Sequence, residues 1–374
     1  MDHRAATDAE LLDLLRLNLV SGLGPRLYSL LLARFGSPAG ILSAAGGELL
    51  EVDGVGPKLS SAIALSRTNG QAEQELAAVR AQDIQLLVRG QPSYPRLLQE
   101  VCDAPPLLYC RGDLQPADEL AVAIVGSRQC TLYGRQQAER FAAALARAGI
   151  TVISGLARGI DAAAHRGALS AGGRTIAVSA TGLNSLYPPE HAELAGEIVA
   201  QGATVSESPL DRGPSRGVFP QRNRIIAGMS LGVIIIEANR KSGALHTARH
   251  AMEQGREVFA LPGRVDCLAS QGCLDLIRDG VTLLRTPDDV LEALGPLMQP
   301  VKRADGDVIH VPRELNLSEQ ERTILNQVAS DPLHVDQVLA ACELETSRVL
   351  ATLTILEMKR LVRRLPGGYL VRAY

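Results

Sequence analysis

Residues 218–263 read VFPQRNRIIAGMSLGVIIIEANRKSGALHTARHAMEQGREVFALPG, and the apolar run in the middle of this stretch decides the fold. The run from Leu231 to Ile236 is short and β-branched, which indicates a strand buried on both faces of a parallel sheet. The small residues 242–244 follow, and a helical pattern then extends from Leu245 to Glu253. A helix N-terminus placed after a strand offers free backbone N–H groups and a positive dipole to an anion.

Basic residues are concentrated in two segments of the chain. Residues 213–256 contain seven Lys or Arg against two Glu, a net charge of +5. Residues 128–174 contain seven Arg against one Glu and one Asp, again +5, whereas the whole chain has a formal net charge of −3. A local excess of positive charge attracts anions whatever the total charge is, so a phosphate-rich ligand such as nucleic acid is favoured.

Composition excludes several classes of protein. With 374 residues and 46% hydrophobic residues, the chain is long enough to bury full cores in two or three domains. No apolar run has the length of a membrane helix, and the N-terminus MDHRAATDAE is too polar for a signal peptide, so we expect a cytoplasmic protein without membrane contact. The six cysteines form no CxxC pair, which favours free thiols over disulfides or zinc.

Strands and helices alternate from residue 121 onward. The predicted strands are 121–125, 151–153, 175–179, 203–206, 232–236 and 258–261. The predicted helices between them are 133–148, 162–171, 191–201 and 245–253. This alternation is typical of a doubly wound parallel sheet, an α/β fold in which ligands bind beyond the carboxyl ends of the strands. Both basic segments contribute residues to that edge.

A repeat near the N-terminus predicts helical hairpins. Gly22-Leu23-Gly24-Pro25 and Gly54-Val55-Gly56-Pro57 each precede an amphipathic helical pattern. Glycines permit the tight turn, and Pro suits the first turn of a helix. The pattern resembles a tandem helix-hairpin-helix (SAM-like) module, which binds the DNA backbone in some proteins and only packs in others. Both roles stay open, because only Arg26 and Lys58 add positive charge beside the turns.

The ends of the chain complete a five-part organisation. Three helical patterns at 318–329, 335–342 and 346–358 precede a Gly-Gly hairpin, which resembles a winged helix. Its basic residues Lys359, Arg360, Arg363, Arg364 and Arg372 are outnumbered by acidic ones, so we favour protein contact slightly over DNA contact. The predicted parts are a helix-hairpin-helix module (1–70), a connector (71–118), the α/β core (119–292), a linker (293–313) and the winged helix (314–374).

Eight motifs occur in order between residues 94 and 285. They are VGSR (125–128), SGLARGIDAAAH (154–165), TGLNSLYPPEH (181–191), SESP (206–209), FPQRNRIIAG (219–228), EANRKSGALHTARHA (237–251), REVFALPG (256–263) and GCLDLIRDGV (272–281). This order resembles the DNA-processing protein A (DprA/Smf) family. The resemblance implies an extended Rossmann-like core that forms a homodimer and binds single-stranded DNA in a basic pocket. It further implies that the protein protects incoming DNA and loads the RecA recombinase onto it during natural transformation.

The same motifs imply which residues form the DNA site, without a metal or organic cofactor. Arginine suits phosphate because its planar guanidinium donates two parallel hydrogen bonds, and backbone N–H groups of glycines can complete the cradle. The chain has no Trp and only four Phe, so Phe219 is the best candidate for stacking on a base. The implied DNA-binding residues are Gly126, Ser127, Arg128, Ser154, Gly155, Arg158, Gly159, Phe219, Arg222, Asn223, Arg224, Ser242, Gly243 and Thr247.

An enzymatic function is the alternative. The core also resembles the nucleoside-monophosphate phosphoribohydrolases, labelled lysine decarboxylase-like, whose PGGxGTxxE motif supplies a Glu to the glycosidic bond. Here the corresponding sequence is SGALHTARH, with His250 in place of that Glu. The chain also contains no Walker A motif. Asp161 and His165 could form a catalytic pair, although Asp at a helix start more often favours the helix dipole. Glu237 could act as a base or bind a neighbouring Arg, and we expect no catalysis.

Overall fold

The computed structural model describes residues 7–215, 217–295, 301–302, 308–309, 317–328, 332–342, 344–358 and 361–372. Within these residues, no helix combines the length and the apolar composition that a membrane span requires. The described residues form three parts, which are an N-terminal helical part, a large α/β core and a C-terminal part with three helices.

The core is built on a nine-stranded sheet with the order β1-β2-β6-β5-β4-β3-β7-β8-β9. Strands β3 to β9 are mutually parallel, whereas β2 pairs antiparallel with β6 and β1 pairs antiparallel with β2. Chain order runs outward from β3 to β6 on one side and then returns to β7 on the other side of β3. The strands are β1 Gln85–Val88, β2 Leu107–Gly112, β3 Ala121–Gly126, β4 Thr151–Ser154, β5 Thr175–Val178, β6 Ala203–Ser206, β7 Gly232–Ile236, β8 Glu257–Ala260 and β9 Thr282–Leu283.

Helices cover both faces of this sheet, so the predicted doubly wound α/β fold is confirmed. Every residue of β4 to β7 is buried, which is why their sequences are continuously apolar or hydroxylated rather than alternating. The six predicted strands all form, with bounds that differ by one residue at most. The core helices are α6 Gln71–Ala81, α7 Arg96–Gln99, α8 Leu132–Arg147, α9 Ile160–Ser170, α10 Ala192–Gln201, α11 Val218–Gly228, α12 Ala244–Glu253, α13 Gln271–Arg278 and α14 Pro287–Leu294.

Strand β2 and helix α11 are two of the core elements that the sequence did not predict. The segment 71–118 is predicted as a connector with a helix to residue 81 and a short strand at 84–88, which form as α6 and β1. The connector also contributes β2, which extends the sheet and contains the fully buried Tyr109. Strand β2 is short and lies close to prolines, which makes its apolar pattern hard to recognise in the sequence. Its antiparallel partner, β6, is nearly a hundred residues away in the chain. The second element is helix α11, which was missed because its QRNR sequence is polar. This helix begins after Gly217 and has Pro220 in its first turn.

The N-terminal part contains five helices, and the two repeated Gly-Pro sequences start helices as predicted. Pro25 and Pro57 are the first residues of α2 and α5, and Gly24 and Gly56 precede them with extended backbone. The five helices share one apolar cluster, centred on fully buried residues such as Leu31. The helices are α1 Asp8–Asn18, α2 Pro25–Phe35, α3 Pro38–Ser43, α4 Gly46–Leu50 and α5 Pro57–Ser66.

The C-terminal part has the predicted winged-helix arrangement. Three helices precede a hairpin, and the small sheet has the order β12-β14-β13. Lys359 and Arg360, which we predicted to add charge here, lie outside the described residues. The elements after the core are β10 Val301–Lys302, β11 Val308–Ile309, α15 Glu319–Asn326, β12 Leu333–His334, α16 Val335–Ala341, α17 Thr346–Met358, β13 Val362–Leu365 and β14 Tyr369–Arg372.

Candidate nucleic-acid interface

A cavity of about 530 Å³ opens where the winding direction of the sheet changes, beyond the carboxyl ends of β3, β4 and β7. We call it the switch-point cavity. Its walls come from the loops after those three strands and from α11. Open α/β sheets bind ligands at this location because the loops diverge there. Ten of the fourteen predicted site residues line it: Gly126, Ser127, Arg128, Arg158, Phe219, Arg222, Asn223, Ser242, Gly243 and Thr247.

Arg128 and Phe219 form the most accessible part of the cavity. Arg128 is exposed, and its guanidinium carbon lies 4.9 Å from the centre of the Phe219 ring. In the described part of the chain this guanidinium makes no ion pair, so its charge is available to a ligand. A cation stacked on a half-exposed ring provides both interactions that a single strand needs, because bases stack and phosphates are anionic.

Glu237 fixes the loop that carries Arg128. It directly follows β7, and its side chain is buried. One carboxylate oxygen accepts a hydrogen bond of 2.7 Å from the Thr131 backbone N–H, and the other accepts from the Thr131 hydroxyl. The backbone of Glu237 has a φ of 50°, an unfavourable value for this residue type, and its carbonyl accepts from the Ser127 N–H at 2.7 Å. Both oxygens therefore hold the loop, and we assign Glu237 to positioning.

Arg222 lines the floor of the cavity but serves the protein itself. It is 4% exposed, and its Nη1 donates to the carbonyl of Gly155 at 2.7 Å and to that of Val178. Burial lowers the pKa of Arg222 to about 10, and the nearby carboxylate of Asp161 opposes this shift. The side chain thus joins α11 to the ends of β4 and β5, and only part of its surface faces the cavity.

Arg224 does not fit the prediction that it neutralises a DNA phosphate. Its side chain is 3% exposed, and it forms ion pairs with Glu207 and, at 3.5 Å, with Asp103. It is not part of the cavity wall because α11 directs it toward the other side of the helix. Arg222 and Arg224 are two positions apart on helix α11, so their side chains point in different directions. We therefore correct this assignment to a structural role.

Three further predicted residues shape the site from behind. Ser154 is fully buried, and its hydroxyl donates to the carbonyl of Ile124 at 2.6 Å. Gly155 packs so closely on Arg222 that a Cβ would lie 2.5 Å from its Nη2. Gly159 has a φ of 77°, and a Cβ there would lie 2.3 Å from the carbonyl oxygen of Ser127. These residues let the loops approach each other. Ser154 and Gly155 are buried, whereas Gly159 is partly exposed but does not line the cavity.

The opposite wall is formed by the start of α12 and its loop. Asn223 donates to the carbonyl of Gly243 at 3.2 Å, which ties α11 to this loop. Ser242 accepts a hydrogen bond of 3.3 Å from the backbone N–H of Ala244, so it stabilises the turn into the helix. Thr247 is buried one turn further along. This wall supplies polar groups and a helix N-terminus, while the charge comes from Arg128 and Arg158 on the facing loops.

Asp161 and His165 do not form a catalytic pair. Asp161 is buried and accepts a hydrogen bond of 3.3 Å from the Ala157 N–H, and burial raises the pKa of its carboxyl. His165 is fully buried, and its Nδ1 lies 2.7 Å from the hydroxyl of Thr175 rather than from Asp161. Burial lowers the pKa of His165 to about 3, so its ring is neutral at physiological pH. Both residues act in the packing of α9.

Sequence reasoning missed Tyr187, Gln129 and Asn239. Gln129 and Asn239 line the cavity next to predicted residues, and both are polar residues in the loops after β3 and β7. Tyr187 makes an edge contact with Phe219, with ring centroids 5.7 Å apart. The signal available for Tyr187 was its place in TGLNSLYPPEH, one of the four motifs of the series from which we carried no site residue.

Comparison with known proteins identifies the family. The family model for DNA recombination-mediator protein A matches residues 85–295, which include the sheet and the switch-point cavity. The chain belongs to the DNA recombination-mediator protein A family. A second family model, the DprA winged helix domain, matches residues 310–368. The family resemblance and the winged helix inferred from the sequence are thereby confirmed.

Individual members of the DNA recombination-mediator protein A family agree with this assignment. Protein Smf of Synechocystis sp. is 37% identical over 93% of this chain and 95% of its own length. The X-ray structure of DNA processing protein A from Streptococcus pneumoniae has a TM-score of 0.66 at 34% identity, and the match covers 77% of this chain and 98% of that chain. The structure of the Helicobacter pylori protein, reported for its single-stranded DNA binding mode, has a TM-score of 0.52 at 32% identity, over 58% of this chain and 97% of its own.

Proposed function

We propose that this protein binds single-stranded DNA in the switch-point cavity and acts as a non-catalytic recombination mediator. The observation that carries the proposal is the stack of Arg128 on Phe219 at the mouth of a polar cavity, where the described residues give this cation no ion pair and leave the ring partly exposed. The Helicobacter pylori relative is reported to bind single-stranded DNA, which supports the same ligand here. Arg128 would neutralise a phosphate, and Phe219 would stack on the adjoining base.

Fluorescence anisotropy with a labelled oligothymidine and a duplex of equal length tests this proposal. We expect tighter binding of the single strand, with the logarithm of affinity falling linearly as the logarithm of salt concentration rises. Phe219→Leu keeps apolar bulk but loses the ring, and it should weaken binding by about 5- to 150-fold with little change in the salt dependence. Equal affinity for both DNAs, or full affinity of Phe219→Leu, would reject the proposed site.

The cavity is better suited to binding than to hydrolysis. Among its described lining residues Asp161 is the one carboxylate, and that group is buried and bonded to the backbone. Glu237 has both oxygens engaged by Thr131. We therefore expect no release of base from nucleoside monophosphates and no hydrolysis of ATP. Turnover by the purified protein that disappears in Glu237→Gln would favour the phosphoribohydrolase alternative instead.

We include delivery of the strand to the RecA recombinase in the proposal, supported by the mediator function that names the family. Natural transformation is the process in which we expect this activity. The assay is the rate of RecA filament assembly on a single strand with the parent protein, with Arg128→Ala, or with neither. Faster assembly with the parent only is the expected result, and equal rates in all three reactions would contradict this part of the proposal.

The final part of the proposal is that two copies of the protein form a homodimer through the α/β core. Strand β9 ends the nine-stranded sheet, and both of its residues are exposed. Leu283 on this strand is 42% exposed, and Leu268 in the short turn before α13 is 72% exposed. An uncovered sheet edge with apolar side chains favours association of two copies. Light scattering should give twice the chain mass at micromolar concentration, and Leu283→Arg should give the monomer mass.

A further inference from the structure

Four side chains, three from separate loops and one from the start of α11, stack on one another at the mouth of the switch-point cavity. We call them the stacking ladder, and in spatial order they are Arg128, Phe219, Tyr187 and Arg158. The guanidinium carbon of Arg128 lies 4.9 Å from the Phe219 ring centre, and that of Arg158 lies 5.6 Å from the Tyr187 ring centre. The two rings meet edge to face with centroids 5.7 Å apart. Each ring therefore carries one arginine in the free protein.

The two halves of the ladder differ in their charge. Arg128 forms no direct ion pair among the described residues, although its charge acts on the buried Asp161 carboxylate. Arg158 donates from Nε to Glu190 at 2.5 Å and from Nη1 toward the Tyr187 hydroxyl at 3.5 Å. The side chains of Arg158 and Glu190 are 48% and 51% exposed, so water competes for this ion pair. An exposed pair of this kind is weak, and a phosphate can replace the carboxylate as the partner of Arg158.

We propose that Tyr187 is a second base-stacking position. We further propose that Glu190 pairs with Arg158 in the free protein and that a DNA phosphate displaces Glu190 when the strand binds. This inference rests on the proposed function and gives roles to Tyr187 and Glu190, which were not among the site residues implied by the family resemblance. On binding, each arginine would leave its ring for a phosphate, and a base would take its place on the ring. Tyr187 and Phe219 thus become neighbouring platforms for two bases of one strand.

The orientation of the rings gives this site a preference for single strands. The ring planes of Tyr187 and Phe219 are inclined by 63°. Bases stacked on both rings cannot be parallel to each other, so the strand must bend and lose its own base stacking between them. A single strand can do this at low cost, but a duplex keeps neighbouring base pairs nearly parallel and paired. The two-ring platform therefore selects flexible strands by shape, without reading sequence.

Replacement of Tyr187 tests the stacking role. Tyr187→Leu keeps apolar bulk without a ring and should weaken single-strand binding by about 5- to 150-fold. Its affinity for duplex should stay at the parent value, so the preference for single strands should fall by the same factor. Tyr187→Phe keeps the ring and should bind within about twofold of the parent, because stacking does not need the hydroxyl. Parent affinity in Tyr187→Leu, or equal losses in the Leu and Phe variants, would overturn the stacking role.

A double-mutant cycle tests the role of Glu190 as the competitor of a phosphate. Glu190→Gln should tighten single-strand binding by about two- to fivefold at low salt, because Arg158 no longer has to leave an ion pair. The gain should vanish in an Arg158→Ala background. A gain that persists without Arg158 would mean that Glu190 only repels DNA through its charge, and the exchange of partners would be wrong.

Glu119→Gln is the matched control for this charge change. Glu119 forms an equivalent ion pair, in which Arg96 donates from Nε at 2.9 Å, and both side chains are similarly half-exposed. It lies before β3, at the amino edge of the sheet and away from the cavity. Glu119→Gln should leave DNA affinity unchanged. A gain equal to that of Glu190→Gln would indicate a general effect of net charge and would overturn the inference.

The outcomes also separate this inference from the proposed function. If Phe219→Leu loses single-strand affinity while the Tyr187 and Glu190 variants bind like the parent, the cavity binds DNA and the ladder inference alone fails. If Phe219→Leu binds like the parent, the proposed site itself is wrong. Melting temperatures of all variants identify any loss that comes from unfolding.

Discussion

Alanine substitution of Arg128 and Arg224, one at a time, should separate an arginine that binds DNA from one that stabilises the protein. The two residues belong to the two basic segments of the sequence and look equivalent there. In the structure Arg128 is exposed, whereas the Arg224 side chain is 3% exposed and paired with Glu207 and Asp103. A phosphate contact by Arg128 predicts that Arg128→Ala lowers the log–log salt slope for single strands by about 0.7.

With this difference in slope, the affinity of Arg128→Ala relative to the parent falls about fivefold for each tenfold dilution of salt. The affinities of the variant and the parent should therefore converge near 1 M salt. The melting temperature of Arg128→Ala should stay near that of the parent. Arg224→Ala should do the reverse. It leaves Glu207 buried without its partner, which costs about 3 to 5 kcal/mol of stability, while the folded fraction keeps the parent salt slope.

Anisotropy titrations at four salt concentrations, combined with thermal unfolding, provide the measurement. Arg147→Ala is the control, because Arg147 is exposed near the opposite end of α8 and should change neither quantity. If Arg128→Ala keeps the parent slope, Arg128 does not contact a phosphate. If Arg224→Ala lowers the slope and leaves the melting temperature unchanged, our structural assignment of this residue is wrong.

Three further predictions concern the support of the cavity. Gly155→Ala places a Cβ 2.5 Å from the Nη2 of Arg222 and should cost about 1 to 3 kcal/mol, measured by urea unfolding. Glu237→Gln presents an amide donor to Thr131 and should lower stability by about 1 to 3 kcal/mol without creating or removing any hydrolytic activity. His165 stays neutral in the folded protein because burial lowers its pKa from 6.5 to about 3, whereas the unfolded chain takes up a proton below pH 6.5. Stability should therefore fall as pH decreases from 6.5 toward 3, by at most about 1.4 kcal/mol per pH unit from this residue, and unfolding at several pH values should show a shallower fall in His165→Asn.

Hydrophobic patterning was sufficient to predict the parallel strands but not the full sheet. The buried run at β7 has no alternation, and only a strand covered on both faces explains that pattern. The short strand at β1 was predicted, but β2 was not, because β2 pairs with β6, a distant antiparallel partner, and joins β1 to the sheet. Helix α11 was missed because its two buried arginines make the sequence polar and leave no obvious apolar stripe.

Charge counting found the correct edge of the sheet but overestimated the charge that a ligand meets. The two segments have a net charge of +5 each, yet several of their arginines are engaged within the protein. Arg174 pairs with Asp118 at 2.7 Å, Arg240 pairs with Asp275 at 2.7 Å, and Arg256 donates to the carbonyl of Leu97 at 2.7 Å. A sequence count cannot separate such arginines from free ones, because the partners come from other elements.

The stacking ladder shows why the remaining part of the site could not be predicted. Its members follow β3, β4 and β5 or begin α11, and they meet only because β3 lies between β4 and β7 at the point where the winding reverses. A local pattern identifies an arginine or an aromatic residue, but the pairing of one with the other is a property of strand order. Within the described part of the chain, the same strand order leaves Arg128 without an ion pair and gives Arg158 a carboxylate partner, Glu190, from the segment between β5 and α10. The two arginines should therefore respond differently to Glu190→Gln, with an affinity gain that requires Arg158 and persists in Arg128→Ala.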